Sequence, residues 1–232
     1  MLDLTASSDI VAPLLLGAVL RRNDPASDAV AVQITEVEAY PGIGDPASHT
    51  ANGWTPRCAT MFGPPGHLYV YASYGIHRAG NIVCRPEGIG SGILLRAGRV
   101  VEGLDVARVR RTRMKDGVPT APADEALARG PWNLGASLGL DLDLDGATLE
   151  VVDGGYGGYG GYGGYGGCGG DLSTASSLTA ATFSLFPASE PVEGVRGKRI
   201  GISKNVDAPL RFWVPDDRTV TSPRSRRSGS PL

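Results

Sequence analysis

The spacing of apolar residues changes period several times along the chain. Behind Ser8-Asp9, a pair suited to capping a helix N-terminus, Ile10, Val11, Leu14, Leu15, Val19 and Leu20 recur at helical intervals. They predict a helix closed by Asn23-Asp24-Pro25. Ala29 to Tyr40 is rich in β-branched residues and reads as a strand. Side chains alternate across a strand, so Ile34, Glu36, Glu38 and Tyr40 are expected on one face and Thr35, Val37 and Ala39 on the other. Pro41 to Pro65 is dense in Pro, Gly, Asn and Thr and reads as loop. Leu68 to Tyr74 is a second strand, with a hairpin partner expected from Asn81 to Cys84. Gly92 to Arg96 is a third, followed by a helix from Glu102 to Lys115 with Leu104, Val106 and Val109 apolar. Glu125 to Leu138 predicts a helical region broken at Gly130-Pro131, and Leu149 to Val152 a further strand.

Between residues 154 and 170 Gly-Gly-Tyr repeats around Tyr156, Tyr159, Tyr162 and Tyr165. Such a run cannot bury a regular face, and ordering its glycines is costly. It reads as a flexible surface insertion in one domain spanning residues 1–222. Residues 223–232, rich in Ser, Arg and Pro, read as a disordered tail.

At 232 residues and 41% hydrophobic, the chain can bury a core of its own. Its three cysteines, Cys58, Cys84 and Cys168, are far apart and form no CxxC pair, which points to neither a disulfide framework nor a zinc site. A reducing cytoplasm fits that usage. No apolar run approaches the roughly 20 residues of a membrane span, and Met1-Leu2-Asp3-Leu4 lacks the basic start of a signal peptide. The net charge is −2, but Arg96 to Lys115 carries seven cations against Glu102 and Asp105, while acids gather from Asp141 to Asp153. That polarity fits one DNA-facing side, and equally a solvated arginine-rich helix.

Of 15 Phe, Trp and Tyr residues, Tyr40, Tyr69, Tyr71 and Tyr74 cluster in two short stretches, with His49 nine residues beyond Tyr40. Flat rings near a carboxylate and a histidine suit a pocket that stacks a planar base and activates water. Tyr74 precedes Gly75 at a predicted hairpin tip, a place suited to wedging into a base stack. Each feature has a plainer reading: tyrosines as strand formers, Glu36 as a support residue, His49 as structural. The chain has only three lysines, Lys115, Lys198 and Lys204, and none lies between Glu38 and Asn81. The pocket segments therefore offer no Schiff-base nucleophile, which favours water and a monofunctional reaction.

Thr35-Glu36-Val37-Glu38-Ala39-Tyr40, Ala47-Ser48-His49, Met61-Phe62-Gly63-Pro64-Pro65-Gly66, Leu68-Tyr69-Val70-Tyr71, Tyr74-Gly75-Ile76-His77, Asn81 and Leu94-Leu95-Arg96-Ala97 closely resemble the alkyladenine (3-methyladenine) DNA glycosylase family. Leu127 to Leu134, and Arg199-Ile200-Gly201-Ile202-Ser203 followed by Pro209-Leu210-Arg211-Phe212, continue the likeness, which covers roughly Asp9 to Ser222 apart from the Gly-Tyr run. The resemblance implies a general base at Glu38 and a water-positioning Arg96. It implies that Tyr40, His49 and Tyr71 sandwich a flipped base, that Asn81 rejects normal purines, and that Tyr74 fills the gap in the duplex. Gly80 leaves selectivity open, since a residue without a side chain beside Asn81 either widens the pocket or loosens that wall.

The expected fold is α+β: one domain with a curved, mostly antiparallel sheet flanked by helices, and a protruding DNA-inserting hairpin. The expected activity is excision of alkylated purines from double-stranded DNA, by a monomer with no cofactor, no metal and no membrane partner. Two other readings stay open: a non-catalytic binder of damaged DNA, and a hydrolase of free nucleosides.

Overall fold

The computed structural model describes residues 2–24, 29–157, 181–225 and 228–232. In chain order its elements are α1 (Ser8–Leu14), β1 (Val19–Asn23), β2 (Val30–Tyr40), β3 (Leu68–Ser73), β4 (His77–Val83), β5 (Gly92–Glu102), α2 (Leu104–Arg111), β6 (Arg113–Lys115) and β7 (Val118–Thr120). Then come α3 (Asp124–Leu127), α4 (Pro131–Leu138), β8 (Leu149–Val151), β9 (Thr182–Phe186), β10 (Val195–Gly197), β11 (Arg211–Trp213) and β12 (Ser230–Pro231). Among the described residues ten strands form one open sheet, antiparallel except where β8 runs parallel to β9. The mixed α+β class and the large antiparallel sheet agree with the sequence.

Strand β2 is the spine. Along one edge it pairs first with β1 through Val30 to Gln33 and then with β11 through Glu36 to Glu38. Its other edge is taken over nearly its whole length by β5, which passes the sheet on to β4 and β3. Val32, Ile34, Val37 and Ala39 join one apolar core with Leu15, Leu20, Leu95, Leu134 and Phe183.

The period-2 reading of β2 needs a correction. Ile34 faces Gly98 of β5 and Glu36 faces Ala97, so two steps on β2 match one on β5. The extra residue, Thr35, is a β-bulge that reverses the alternation. Ile34 therefore belongs with Val37 and Ala39 in the core rather than with the carboxylates. Glu36, Glu38 and Tyr40 lie beyond the bulge and keep their shared face.

The first helix is also shorter than expected. It ends at Leu14, and Val19 and Leu20 belong to β1. Gly17 has φ +80°, and a Cβ there would sit 2.4 Å from Val192, so the chain turns where no other residue fits well. The third strand runs to Glu102, which shortens the following helix to Leu104–Arg111, and β4 begins at His77. Pro56–Phe62, read as loop, is a 3₁₀ turn. The break at Gly130-Pro131 is present, separating α3 from α4.

Most of the Gly-Tyr run lies outside the described residues. Within the segment assigned to a tail, Ser230–Pro231 pairs with β10. Among the described residues no helix is long and apolar enough to cross a membrane.

Candidate active site

Two carboxylates on β2 build the site. Both Glu36 and Glu38 are fully buried, and both reach Arg96 on β5. A second register change explains how. Glu36 faces Ala97 while Val37 faces Leu95, so Arg96 is the extra residue of a bulge on β5, opposite in sense to the one at Thr35. A bulge re-aims a side chain; here it turns the guanidinium onto the carboxylate face.

The two carboxylates have different surroundings. Glu36 Oε1 accepts from Arg96 Nε at 2.9 Å, Arg211 Nε at 2.7 Å and the Thr221 hydroxyl at 2.6 Å, and Oε2 accepts from the Thr221 amide at 2.8 Å. Burial pushes its pKa up, but Arg96, Arg211 and Thr221 together bring it below the usual glutamate value. Glu38 Oε1 accepts from the Ile200 amide at 2.7 Å and lies 3.2 Å from Arg96 Nη1, while Oε2 accepts from the Tyr40 hydroxyl at 2.9 Å. For Glu38 burial outweighs Arg96, Ile200 and Tyr40, and its pKa is raised. Carboxyl pKa values driven apart by their environments are a mark of divided chemical roles.

Beside them opens a cavity of about 610 Å³. Its walls come from Tyr40, His49, Met61, Tyr69, Tyr71, Asn81, Leu94 and Arg96, and its rim from Tyr74, Trp132 and the segment Ile200 to Lys204. Glu38 stands just behind the wall, bonded to three residues that line it. Tyr71 stacks on Tyr69 at 5.5 Å between ring centres, and His49 meets Tyr71 edge-on at 4.7 Å. The His49 Nδ1 and the Tyr69 hydroxyl hydrogen-bond at 3.0 Å. Burial, with Arg57 nearby, lowers the His49 pKa, so the imidazole is neutral at physiological pH. Asn81 donates to the Tyr69 carbonyl at 3.2 Å and is thereby pinned. Flat walls and few fixed polar groups suit a planar heteroaromatic ligand.

Tyr74 lies at the tip between β3 and β4, with φ +50° and 86% of its surface exposed. Its ring meets Trp132 edge-on at 6.1 Å, and Trp132 is stacked on His77 at 4.6 Å. Tyr40, His49, Tyr71, Asn81 and Arg96 thus line the cavity, Tyr74 stands on its rim, and Glu38 lies behind its wall.

Other parts were not legible. Arg199 is buried, pairs with Asp45 through two bonds of 2.6 and 2.8 Å, donates to the Ala39 carbonyl at 3.1 Å, and lies over the Tyr40 ring at 4.6 Å. Ile200, Arg211 and Thr221 hold the carboxylates from segments about 160 or more residues away in the chain. Arg199-Ile200-Gly201 and Arg211 were visible within motifs, without a role. Two expectations are corrected. Lys204 lines the rim, so an amine does stand near the cavity. A Cβ on Gly80 would meet Leu140 at 2.7 Å and Leu95 at 3.9 Å, so this glycine faces the core and not the pocket. Among the described residues no group of three or more His, Cys, Asp or Glu side chains is arranged to hold a metal ion.

Residues 3–156 match the family model described as methylpurine-DNA glycosylase. A protein of Corynebacterium jeikeium, provisionally named a 3-methyladenine DNA glycosylase, is 57% identical over all of this chain and 95% of its own length. Relatives with the same provisional name from Cutibacterium acnes and Corynebacterium efficiens are 43% and 44% identical, each over 97% of this chain and over 100% and 96% of their own lengths. These alignments extend past residue 156 and take in the segments carrying Arg199, Ile200, Arg211 and Thr221.

Proposed function

The chain belongs to the methylpurine-DNA glycosylase family, and from that premise we propose that it excises alkylated purines of the 3-methyladenine and 7-methylguanine type from duplex DNA, with water as the nucleophile. The observation that carries this reading is Glu38: a buried carboxylate of raised pKa, tied to Arg96, Ile200 and Tyr40 at the back of an aromatic cavity.

A base within a duplex must first be extruded, which costs a few kcal/mol. Tyr74, exposed on a tip beside the cavity, fills the vacated space. The extruded base enters between Tyr40, His49 and Tyr71, where stacking contributes about 1–3 kcal/mol. An alkylated purine is cationic, and tyrosine faces attract it. One face of Tyr40 already carries Arg199, whose charge Asp45 balances, so the other face is left to the base. Asn81, held by the Tyr69 carbonyl, is a rigid wall suited to excluding the exocyclic amino group of guanine.

Water enters where Arg96 and Ile200 reach the cavity. Glu38 Oε2 accepts one bond, from Tyr40, and has lone-pair capacity for a proton from that water. The water oxygen bonds to the sugar C1′ as the C1′–N bond breaks, and the bonding pair leaves with the purine, neutralising its charge. The departing base thus needs no acid. The buried carboxylates stabilise the oxocarbenium-like sugar.

The test is base release from a methylated duplex. Glu38→Gln should slow release roughly 10²–10⁴-fold, the range of a lost general base, while damaged-duplex binding persists. Unchanged release in Glu38→Gln would refute the assignment. Tight binding without release by the wild type would make the protein a lesion binder, and release from free nucleosides in preference to duplex would make it a nucleoside hydrolase.

A further inference from the structure

Arg96 does not present its full fork to Glu38. Its Nε is taken by Glu36 at 2.9 Å, and a single Nη1 lies 3.2 Å from Glu38. Glu36 is itself anchored from two other segments, by Arg211 and by Thr221, so it does not follow Arg96 if that side chain moves. Arg211 is fixed in turn over Trp213 at 4.3 Å and by bonds to the carbonyls of Thr221 and Pro223. Without Glu36, the contacts left to Arg96 among the described residues are that to Glu38 and a long 3.5 Å bond from Nη1 to the Ile200 carbonyl, too weak to hold the guanidinium side-on. Its natural alternative is the bidentate clasp that arginine forms with a carboxylate, and Glu38 is the carboxylate within reach.

We propose that Glu36 is a positioning residue that holds Arg96 side-on, so that Glu38 keeps a free lone pair and its basicity. This rests on the reading of Glu38 as the base. A bidentate Arg96 would occupy both Glu38 oxygens and stabilise the ionised form, leaving a carboxylate that takes a proton poorly. The like charge of Glu36 acts in the same sense, disfavouring ionisation of Glu38. The other groups that face Glu38 are Tyr40 on its own strand, Arg96 on β5, Tyr71 on β3, Arg199 and the Ile200 amide from the segment after β10, and Arg211, its cross-strand neighbour on β11. Of these, Arg96 is, among the described residues, the one within ion-pair distance of both carboxylates.

The experiment is the pH dependence of single-turnover release of 7-methylguanine from duplex. The acid limb of the wild type reports ionisation of Glu38. Glu36→Gln removes the like charge and frees Arg96. Its limb should move down by about one pH unit, and its plateau rate should fall roughly 10–100-fold. Thr221→Val removes only a hydroxyl donor from Glu36, leaving more of that charge to Arg96. Its limb should move the opposite way, upward, and this milder change keeps the test available if Glu36→Gln does not fold. A role in stability alone would lower the melting temperature of both variants and leave both limbs in place, which would overturn the proposal. If the wild type itself releases no base, or if Glu38→Gln retains the limb, the reading of Glu38 fails instead.

Discussion

The Asp45–Arg199 pair offers a quantitative test of how the pocket is held. Asp45 stands on the loop that carries Pro46, Ala47 and His49, and Arg199 opens the segment that supplies Ile200 to Lys204. Both side chains are almost wholly inaccessible, and Asp45 also accepts from Asn205 at 3.0 Å. Asp45→Asn keeps the shape and removes the charge. Arg199 is then a buried cation without a counterion, a change that costs about 3–5 kcal/mol. For a chain of this size that corresponds to a fall in melting temperature of roughly 6–20 °C. The neighbouring Lys198–Asp207 pair is exposed and serves as a control; Asp207→Asn should shift the transition by no more than about 4 °C. Burial pushes the Asp45 carboxyl up, yet hydrogen bonds from Arg199 and Asn205 bring it below its ordinary value. A carboxyl depressed in the folded state stabilises above its unfolded pKa of about 3.9. That contribution is lost as pH falls through the lower folded value, so wild type and Asp45→Asn should converge only in strong acid. Circular dichroism melts across pH give all three comparisons. Equal shifts for Asp45→Asn and Asp207→Asn would refute the claim that this pair holds the two walls together.

Three further outcomes follow from placement. Tyr74→Ala, at an exposed tip, should leave stability within about 0.5 kcal/mol but weaken binding to a methylated duplex roughly 10-fold or more through lost stacking; equal binding by titration would remove the wedge role. Gly80→Ala should cost about 1–3 kcal/mol by overpacking Leu140 while leaving the ratio of alkylated to normal guanine release unchanged; an altered ratio would show that this residue does reach the pocket. Lys204→Ala should flatten the dependence of log K on log salt by about 0.9, one phosphate contact, and borohydride should trap no enzyme–DNA adduct with the wild type. An adduct that vanishes in Lys204→Ala would make that amine the nucleophile and end the monofunctional reading.

How far the sequence reveals this site depends on the distance over which each feature is encoded. The β3–β4 hairpin is written locally, by alternation in Leu68 to Tyr71 and a glycine after Tyr74, and its turn is where the pattern placed it, although β4 begins at His77, four residues before the expected Asn81. The Glu38–Tyr40 face was also legible, because no irregularity lies between those residues. Ile34 was assigned to the wrong face because a bulge adds a residue without changing composition. Asp45 and Arg199 are 154 residues apart, and no local pattern records that they meet.

The two bulges show why this failure is not random. In a regular ladder alternate residues of β5 point to opposite faces, and whether a given arginine meets the carboxylates of β2 depends on the register. One extra residue at Thr35 and one at Arg96 cancel in register, so the strands stay paired on either side while the segment between them is shifted. That offset brings Arg96 onto Glu36 and Glu38 together. Periodicity is thus a sound guide to the scaffold and a poorer one to the reacting groups, because here these charges meet where the ladder departs from its period. Where a strand carries buried charges that alternation alone would place well, the register of its partner is the first thing to examine.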